Sequence, residues 1–351
     1  MAEQEQSGLV SIPDYFRNGY ILVVDDARNM RKTMKGVLRH LGVVSVHEAD
    51  DGDTALHMIS TIQEKCLLIF LDWAMPRMNG ILVAKELKGS DKTKDIPILM
   101  VTADGNYSQV TYAGEFGVEG YVMKPFGATV LEEKITGVLV DRLHPPNYLK
   151  LLRAGEKMFE SGQVEKAMAY FNESLKYEES ARAFTASGFA LEKMGRIEEA
   201  ERAFRASVER NPQYLRGLQS AAEFLVRIGK EGDAVQFFKT ASEISPNNPE
   251  RHLIIGTLSM KTGDEDTARL AFQEAIKHDP TKSTVIAEEL LKTGKAELAE
   301  VYFRWSLDHE NHNVHVYNRL GIALRRQGKW KEAVDEYKLA LAIDPEDEVI
   351  Y

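Results

Sequence analysis

Cysteine is almost missing from this chain: Cys66 is the single thiol in 351 residues. A lone cysteine closes no internal disulfide, so burial and hydrogen bonding must hold the fold together. Cys66 stands in the apolar run CLLIFLD and reads as a buried strand position. Long hydrophobic runs are missing too. No window reaches 18 uninterrupted apolar residues, so the sequence offers no helical membrane span. The opening MAEQEQSGLVSIPDYF has neither a basic start nor a long apolar core, which argues against a secretory leader; residues 1–18 read as a flexible tail. An excess of positive charge is lacking in both halves. Residues 1–140 carry 14 basic and 19 acidic side chains, residues 141–351 carry 30 and 35, and the formal charge is −10. Binding nucleic acid requires the opposite sign against phosphate, so no nucleic-acid partner is expected. What remains, at 44% hydrophobic and 28% charged residues, is a folded cytoplasmic protein of two or three domains.

The first half alternates short apolar runs with amphipathic stretches. Strands are expected at 20–25, 43–49, 66–72, 96–103 and 120–123, and helices at 28–41, 53–64, 80–89, 107–116 and 128–142. Five strands alternating with five helices predict a parallel sheet covered on both faces, a doubly wound α/β domain. In such sheets ligands sit at the carboxyl ends of the strands. The strand ends carry Asp25-Asp26, Asp72 and Thr102, and Lys124-Pro125 follows the fifth strand. Three clustered carboxylates repel one another and call for a cation. Hard oxygen ligands favour Mg²⁺, which accepts a phosphate as a further ligand. A carboxylate can itself accept a phosphoryl group, giving an acyl phosphate.

The segments VVDDARNMR (23–31), LDWAMPRMNG (71–80), LMVTADG (99–105) and GYVMKPF (120–126) together resemble the receiver domain of two-component response regulators, over residues 19–140. The likeness is strongest to the single-domain chemotaxis regulator, with its flavodoxin-like five-stranded sheet. This resemblance implies that Asp72 is the phosphoacceptor, that Asp26 binds Mg²⁺ directly, and that Asp25 helps directly or through water. It implies that the backbone carbonyl of Ala74 completes the metal site. Lys124 would contact the phosphoryl group, Thr102 would hydrogen-bond it, and Tyr121 would be an aromatic switch coupled to Thr102. The peptide before Pro125 is expected to be cis. Ala74 and Asp104, each two residues past a site residue, would influence access of water to the acyl phosphate.

The second half is periodic. Gly162, Gly195, Gly229, Gly263, Gly294 and Gly328 are spaced by 33, 34, 34, 31 and 34 residues. Each is followed after five residues by alanine, after nine by an aromatic (Phe171, Phe204, Phe238, Phe272, Phe303, Tyr337), and after twelve by a small residue. A period near 34 with these marks predicts a helix–turn–helix solenoid and resembles tetratricopeptide repeats, about six of them across 148–351. Gly155, Gly188, Ala222, Gly256, Ala287 and Gly321, seven before each timing glycine, would let the two helices of a unit approach closely. The aromatics would fill the gap between successive units. The fifth unit is three residues short and has Asn311 where four others have proline. The double proline in DRLHPPN marks a stiff linker at 141–147.

A partner helix or peptide is expected in the repeat groove, on the wall made by the first helix of each unit. Candidate contacts are Glu156, Phe159, Phe189, Arg216, Gln219, Glu223, Thr257, Asn318, Ile322 and Arg325. The repeated Lys/Asn/Arg set that clamps a terminal carboxylate is missing. His309, His312 and His315 have metal-like spacing, but no cysteine or carboxylate set completes them, so they read as scaffold. No polar capping helix follows the sixth unit, which suggests cover by a partner or by a second copy in a homodimer. The expectation is a non-enzymatic response regulator. A sensor histidine kinase phosphorylates Asp72 with Mg²⁺, and the repeats are the protein-binding output. The alternatives are a constitutive scaffold whose binding ignores phosphorylation and, further off, a phosphohydrolase.

Overall fold

The computed structural model describes residues 11–76, 78–103, 112, 116–309 and 313–344. By contacts the chain divides into two compact units, Met1–Arg196 and Ile197–Tyr351, and each is described by itself.

The first unit opens with a sheet of five parallel strands: β1 (Gly19–Val24), β2 (Val46–Ala49), β3 (Lys65–Asp72), β4 (Ile98–Thr102) and β5 (Gly120–Met123), in the order β2-β1-β3-β4-β5. β1 and β4 are buried along their whole length, as expected of strands covered on both faces. Two hydrophobic clusters form, one on each face, built on alternate residues of the same strands: Ile21, Val23, Leu68 and Phe70 on one, Leu22, Val24, Ile69 and Leu71 on the other. The covering helices are α2 (Arg28–His40), α3 (Gly52–Thr61), α4 (Gly80–Gly89) and α5 (Ala128–Leu143). The helix expected at 107–116 lies outside the described residues, apart from Tyr112 and Phe116, and Asp104 lies outside them as well. β2 is shorter than expected, because the chain enters it only at Val46 and Val44 is left exposed.

The tail expected at 1–18 is folded from Ser11 onward. The Ser11 hydroxyl accepts from Asp14 N–H and starts a short helix, α1 (Ile12–Tyr15), followed by a 3₁₀ turn at Phe16–Asn18. Ile12 and Phe16, four residues apart, enter the core beside Met34 and Leu38 of α2. Their burial outweighs the polar character of the segment.

The repeats are helical pairs. In the first unit these are α6 (Asn147–Glu160), α7 (Val164–Tyr177) and α8 (Ala181–Lys193). The second unit holds α9 (Ile197–Arg210), α10 (Leu215–Arg227), α11 (Glu231–Ile244), α12 (Pro249–Thr262), α13 (Glu265–His278), α14 (Lys282–Lys292), α15 (Ala296–His309), α16 (Val314–Arg326) and α17 (Trp330–Ile343). All six timing glycines have φ between 74° and 83°, the left-handed conformation that ends the first helix of each pair. That backbone, and not lack of space, requires glycine: a Cβ at any of the six would meet nothing within 4 Å. The earlier small residues answer to space instead. A Cβ on Gly155 would lie 2.5 Å from Phe171, on Gly256 2.3 Å from Phe272, and on Gly321 2.4 Å from Tyr337. In these three pairs the periodic aromatic packs on the small residue of its own pair, and Phe272 also faces the next pair, 5.8 Å from Tyr302 between ring centroids. Phe204 in addition reaches the next pair, 5.0 Å from Phe224 between ring centroids. The short fifth unit is absorbed by its first helix: α14 has 11 residues where α12 has 14.

Candidate functional site

Three carboxylates meet at the carboxyl edge of the sheet because β1 and β3 are neighbours and end there. Asp25 and Asp26 follow β1, and Asp72 is the last residue of β3. One oxygen from each lies within 4.8 Å of the others. Asp25 and Asp72 are buried, whereas Asp26 is exposed and leaves the cluster open to solvent. Lys124, just past β5, reaches into the group: its Nζ donates to Asp25 Oδ2 at 2.8 Å and to Asp72 Oδ1 at 2.7 Å. One ammonium thus faces three carboxylates. Burial pushes the Asp72 carboxyl up from its ordinary value, against the hydrogen bond and charge of Lys124, and Asp25 and Asp26 push it the same way as burial. Burial alone would lower the Lys124 ammonium, but its bonds to Asp25 and Asp72 outweigh this and raise it.

The loops around the cluster are tightly specified. Asp25 Oδ1 accepts from Ala27 N–H at 2.8 Å, and Lys124 N–H donates to the Thr102 carbonyl at 2.7 Å. Thr102 closes β4 and is buried. The Lys124–Pro125 peptide is cis. Ala74 lies exposed in the loop after β3. Tyr121 is half-buried on β5, with Lys134 Nζ 5.1 Å from its ring centroid. Two residues to which the sequence analysis gave no role now stand out. A Cβ at Gly80 would lie 2.0 Å from the Asp72 carbonyl oxygen, so only glycine lets α4 start against the end of β3. Arg31 donates from Nη1 to the carbonyls of Asp25, at 2.7 Å, and Asp26, at 3.1 Å. Both residues lie inside segments that carried the resemblance, but their contacts depend on tertiary register.

An all-oxygen donor set with two buried members, one open side and an excess of negative charge fits a hard divalent cation such as Mg²⁺. Asp25, Asp26 and Asp72 are the residues able to hold it.

The candidate contacts on the repeats are more dispersed. Glu156 is engaged by Arg182 through two hydrogen bonds, and Phe159 packs into the cluster around Leu152 and Phe171. Phe189 and Thr257 are half-buried, and Arg216 and Arg325 are exposed. Gln219 donates to Glu223 at 2.8 Å, and Ile322 packs beside the core of the last repeats. Asn318 is only 4% exposed, so it offers almost no surface to a ligand. Within the second unit, a pocket of about 550 Å³ opens between α13 and α15, lined by Phe272, Ile276, Leu298, Val301, Tyr302 and Trp305 among others. It lies between second helices of adjacent pairs, not on the first-helix wall favoured by the sequence analysis. Of the histidine run, His309 stacks on Trp305 and His315 Nε2 lies 2.8 Å from Glu288, while His312 lies outside the described residues. Among the described residues the Asp25–Asp26–Asp72 group is the one cluster able to hold a metal, and no helix is long and apolar enough to cross a membrane.

Two kinds of known family match the chain. The response regulator receiver domain family matches residues 21–136, and tetratricopeptide repeat families match 185–249 and 314–347. The chain is 45% identical to chemotaxis protein CheY of Pseudomonas aeruginosa over 115 residues, which are 33% of this chain and 91% of that protein. It is 41% identical to CheY-3 of Vibrio cholerae over 34% of this chain and 90% of that protein. A CheY homologue of Campylobacter jejuni is 40% identical over 34% and 91%. Sheet order, acidic strand ends and sequence agree: the chain belongs to the response regulator receiver family, as a receiver domain followed by tetratricopeptide repeats.

Proposed function

We propose that this protein is a phosphorylation-regulated response regulator whose repeats are a protein-binding output. The observation that carries this reading is the buried Asp72 at the end of β3, with Lys124 Nζ 2.7 Å from its carboxylate and two further carboxylates beside it. Asp72 is the phosphoacceptor. Its carboxylate oxygen attacks the phosphorus of a phosphohistidine on a sensor kinase; the new O–P bond forms as the P–N bond breaks, and the imidazole leaves with the electron pair. Burial strips the Asp72 carboxylate of water and leaves its oxygen free to attack. Lys124 is placed to follow the charge that moves onto the phosphoryl oxygens. Asp25, Asp26, Asp72 and the Ala74 carbonyl would hold Mg²⁺, which would supply electrostatic stabilisation to the transferring group. Thr102 donates to the new phosphoryl group and Tyr121 answers its shift, which alters the receiver face next to the linker. We set the boundary between receiver and repeats at residues 141–147, where α5 ends at Leu143 and Pro145-Pro146 precede α6.

The test of the acceptor is mass spectrometry after incubation with a small acyl phosphate and Mg²⁺. One added phosphoryl group, lost in Asp72→Ala, is expected; the same gain in that variant defeats the assignment. The output is tested by affinity capture with beryllofluoride-treated wild type and with Asp72→Ala. A partner held by one bait alone supports gating, and identical partners on both favour a constitutive scaffold.

A further inference from the structure

We propose that Arg31 is a positioning residue for the acidic metal site and that Glu48 is the brace that keeps it there; the inference rests on the reading of that site given above. Arg31 projects from the first turns of α2, with its side chain 14% exposed. One nitrogen, Nη1, spans two consecutive carbonyls, those of Asp25 and Asp26. The same stretch is held on its other sides by Asp25 N–H on the Ala49 carbonyl, at 3.2 Å, and by Ala27 N–H on Asp25 Oδ1. The peptide units on both sides of Asp26 are therefore tied down. This matters because Asp26 itself is exposed, so the backbone from which it hangs does much of the work of aiming its carboxylate.

An arginine bound to the backbone of Asp25 and Asp26 has an obvious alternative. It could swing onto their carboxylates and act as counterion, in competition with a metal. Glu48 removes that alternative. It sits on β2, paired in register with Val23 of β1, and its Oε2 lies 3.6 Å from Arg31 Nε. Its Oε1 accepts from Lys35 Nζ at 2.7 Å, and that bond chiefly holds the Glu48 carboxyl below its usual range. The guanidinium is thus ion-paired on one side with a carboxylate and spent on the other against two backbone carbonyls. Arg31 shapes the site without filling it. A lysine at this position would keep the charge but has no second nitrogen to face Glu48 while the first donates to the carbonyls.

The test is Mg²⁺ titration of the full chain, followed by the fluorescence of Trp73 beside Asp72, with unfolding midpoints in urea and EDTA measured in parallel. Wild type is expected to saturate and Asp26→Asn to lose binding. Removing a group that orients metal ligands typically weakens affinity about 10–100-fold, and Arg31→Ala is expected in that range. Arg31→Lys is expected between it and wild type, and Glu48→Gln to weaken binding to a smaller degree. An arginine that merely ties α2 to the sheet would lower the urea midpoint and leave Mg²⁺ affinity unchanged; that result overturns the proposal. Should Arg31→Ala not fold, Arg31→Lys and Glu48→Gln decide, and wild-type affinity in both defeats the inference. Failure of the wild type itself to bind Mg²⁺ has a different signature and brings down the reading of the acidic site with it.

Discussion

Alanine in place of glycine should act with opposite sign at Gly80 and at Gly137. At Gly80 the new Cβ would stand 2.0 Å from the carbonyl oxygen of Asp72, 3.0 Å from its carbonyl carbon and 3.1 Å from Met100 Cε. Carbon–oxygen contacts relax to roughly 3.3 Å, so the two backbones must part by about 1.3 Å. The obstacle is main chain, which has no rotamer to escape into. It is also pinned: Gly80 N–H donates to the Trp73 carbonyl at 3.1 Å, and Trp73 N–H to Val101 at 2.9 Å. Overpacking of this kind costs about 1–3 kcal/mol. The strain falls on the residue whose carboxylate meets Lys124, and misplacing a reacting group by about 1 Å costs on the order of 10²-fold in rate. Gly137 is exposed inside α5, and its Cβ would meet nothing within 4 Å. There alanine should stabilise by about 0.5–1 kcal/mol and leave the chemistry alone. Urea unfolding in EDTA measures the first quantity, and the rate of Asp72 phosphorylation from a small acyl phosphate with Mg²⁺ measures the second. A Gly80→Ala protein as stable as Gly137→Ala, or one phosphorylated at the wild-type rate, would refute this reasoning.

Other outcomes follow from the same structure. Phe272→Ala empties the space against Gly256 and should cost about 3–5 kcal/mol in thermal unfolding. Gly256→Ala should also destabilise, and combining it with Phe272→Leu should return part of the loss, a coupling that a double-mutant cycle reads directly. Mg²⁺ at about 100 times its Kd should stabilise the wild type by about 2.7 kcal/mol in urea, an increment removed by EDTA and absent in Asp26→Asn. In EDTA, Asp72→Asn should be more stable than wild type at neutral pH. The folded-state pKa of Asp72 is raised by burial, so its ionisation penalises the fold once pH rises through that value. Below about pH 4, where the unfolded carboxyl is also protonated, the advantage should vanish. An advantage that grew in acid would reverse the sign and defeat the argument.

The features legible in the sequence are those whose cause is local. A strand buried on both faces must be apolar until it leaves the sheet, so YILVVDD and LLIFLD announce both the strands and their polar ends. A left-handed backbone admits glycine with little cost, so six helix ends left six marks at nearly equal spacing. What the sequence hid depends on which surfaces meet. The folding of Ser11–Asn18 was signalled by a capping serine and two apolar residues four apart, but their worth depends on a core they join only in three dimensions. That the periodic aromatic presses on its own pair's glycine follows from interhelical distance, which no spacing states. Arg31 is the clearest case. It stands inside the segment VVDDARNMR, which names no role for it, and the register of β2 against β1 sets Glu48 beside it. The division is physical. Which residue type stands at a strand end can be read from the sequence, whereas orientation is a property of pairs, and pairs exist only once the chain has folded.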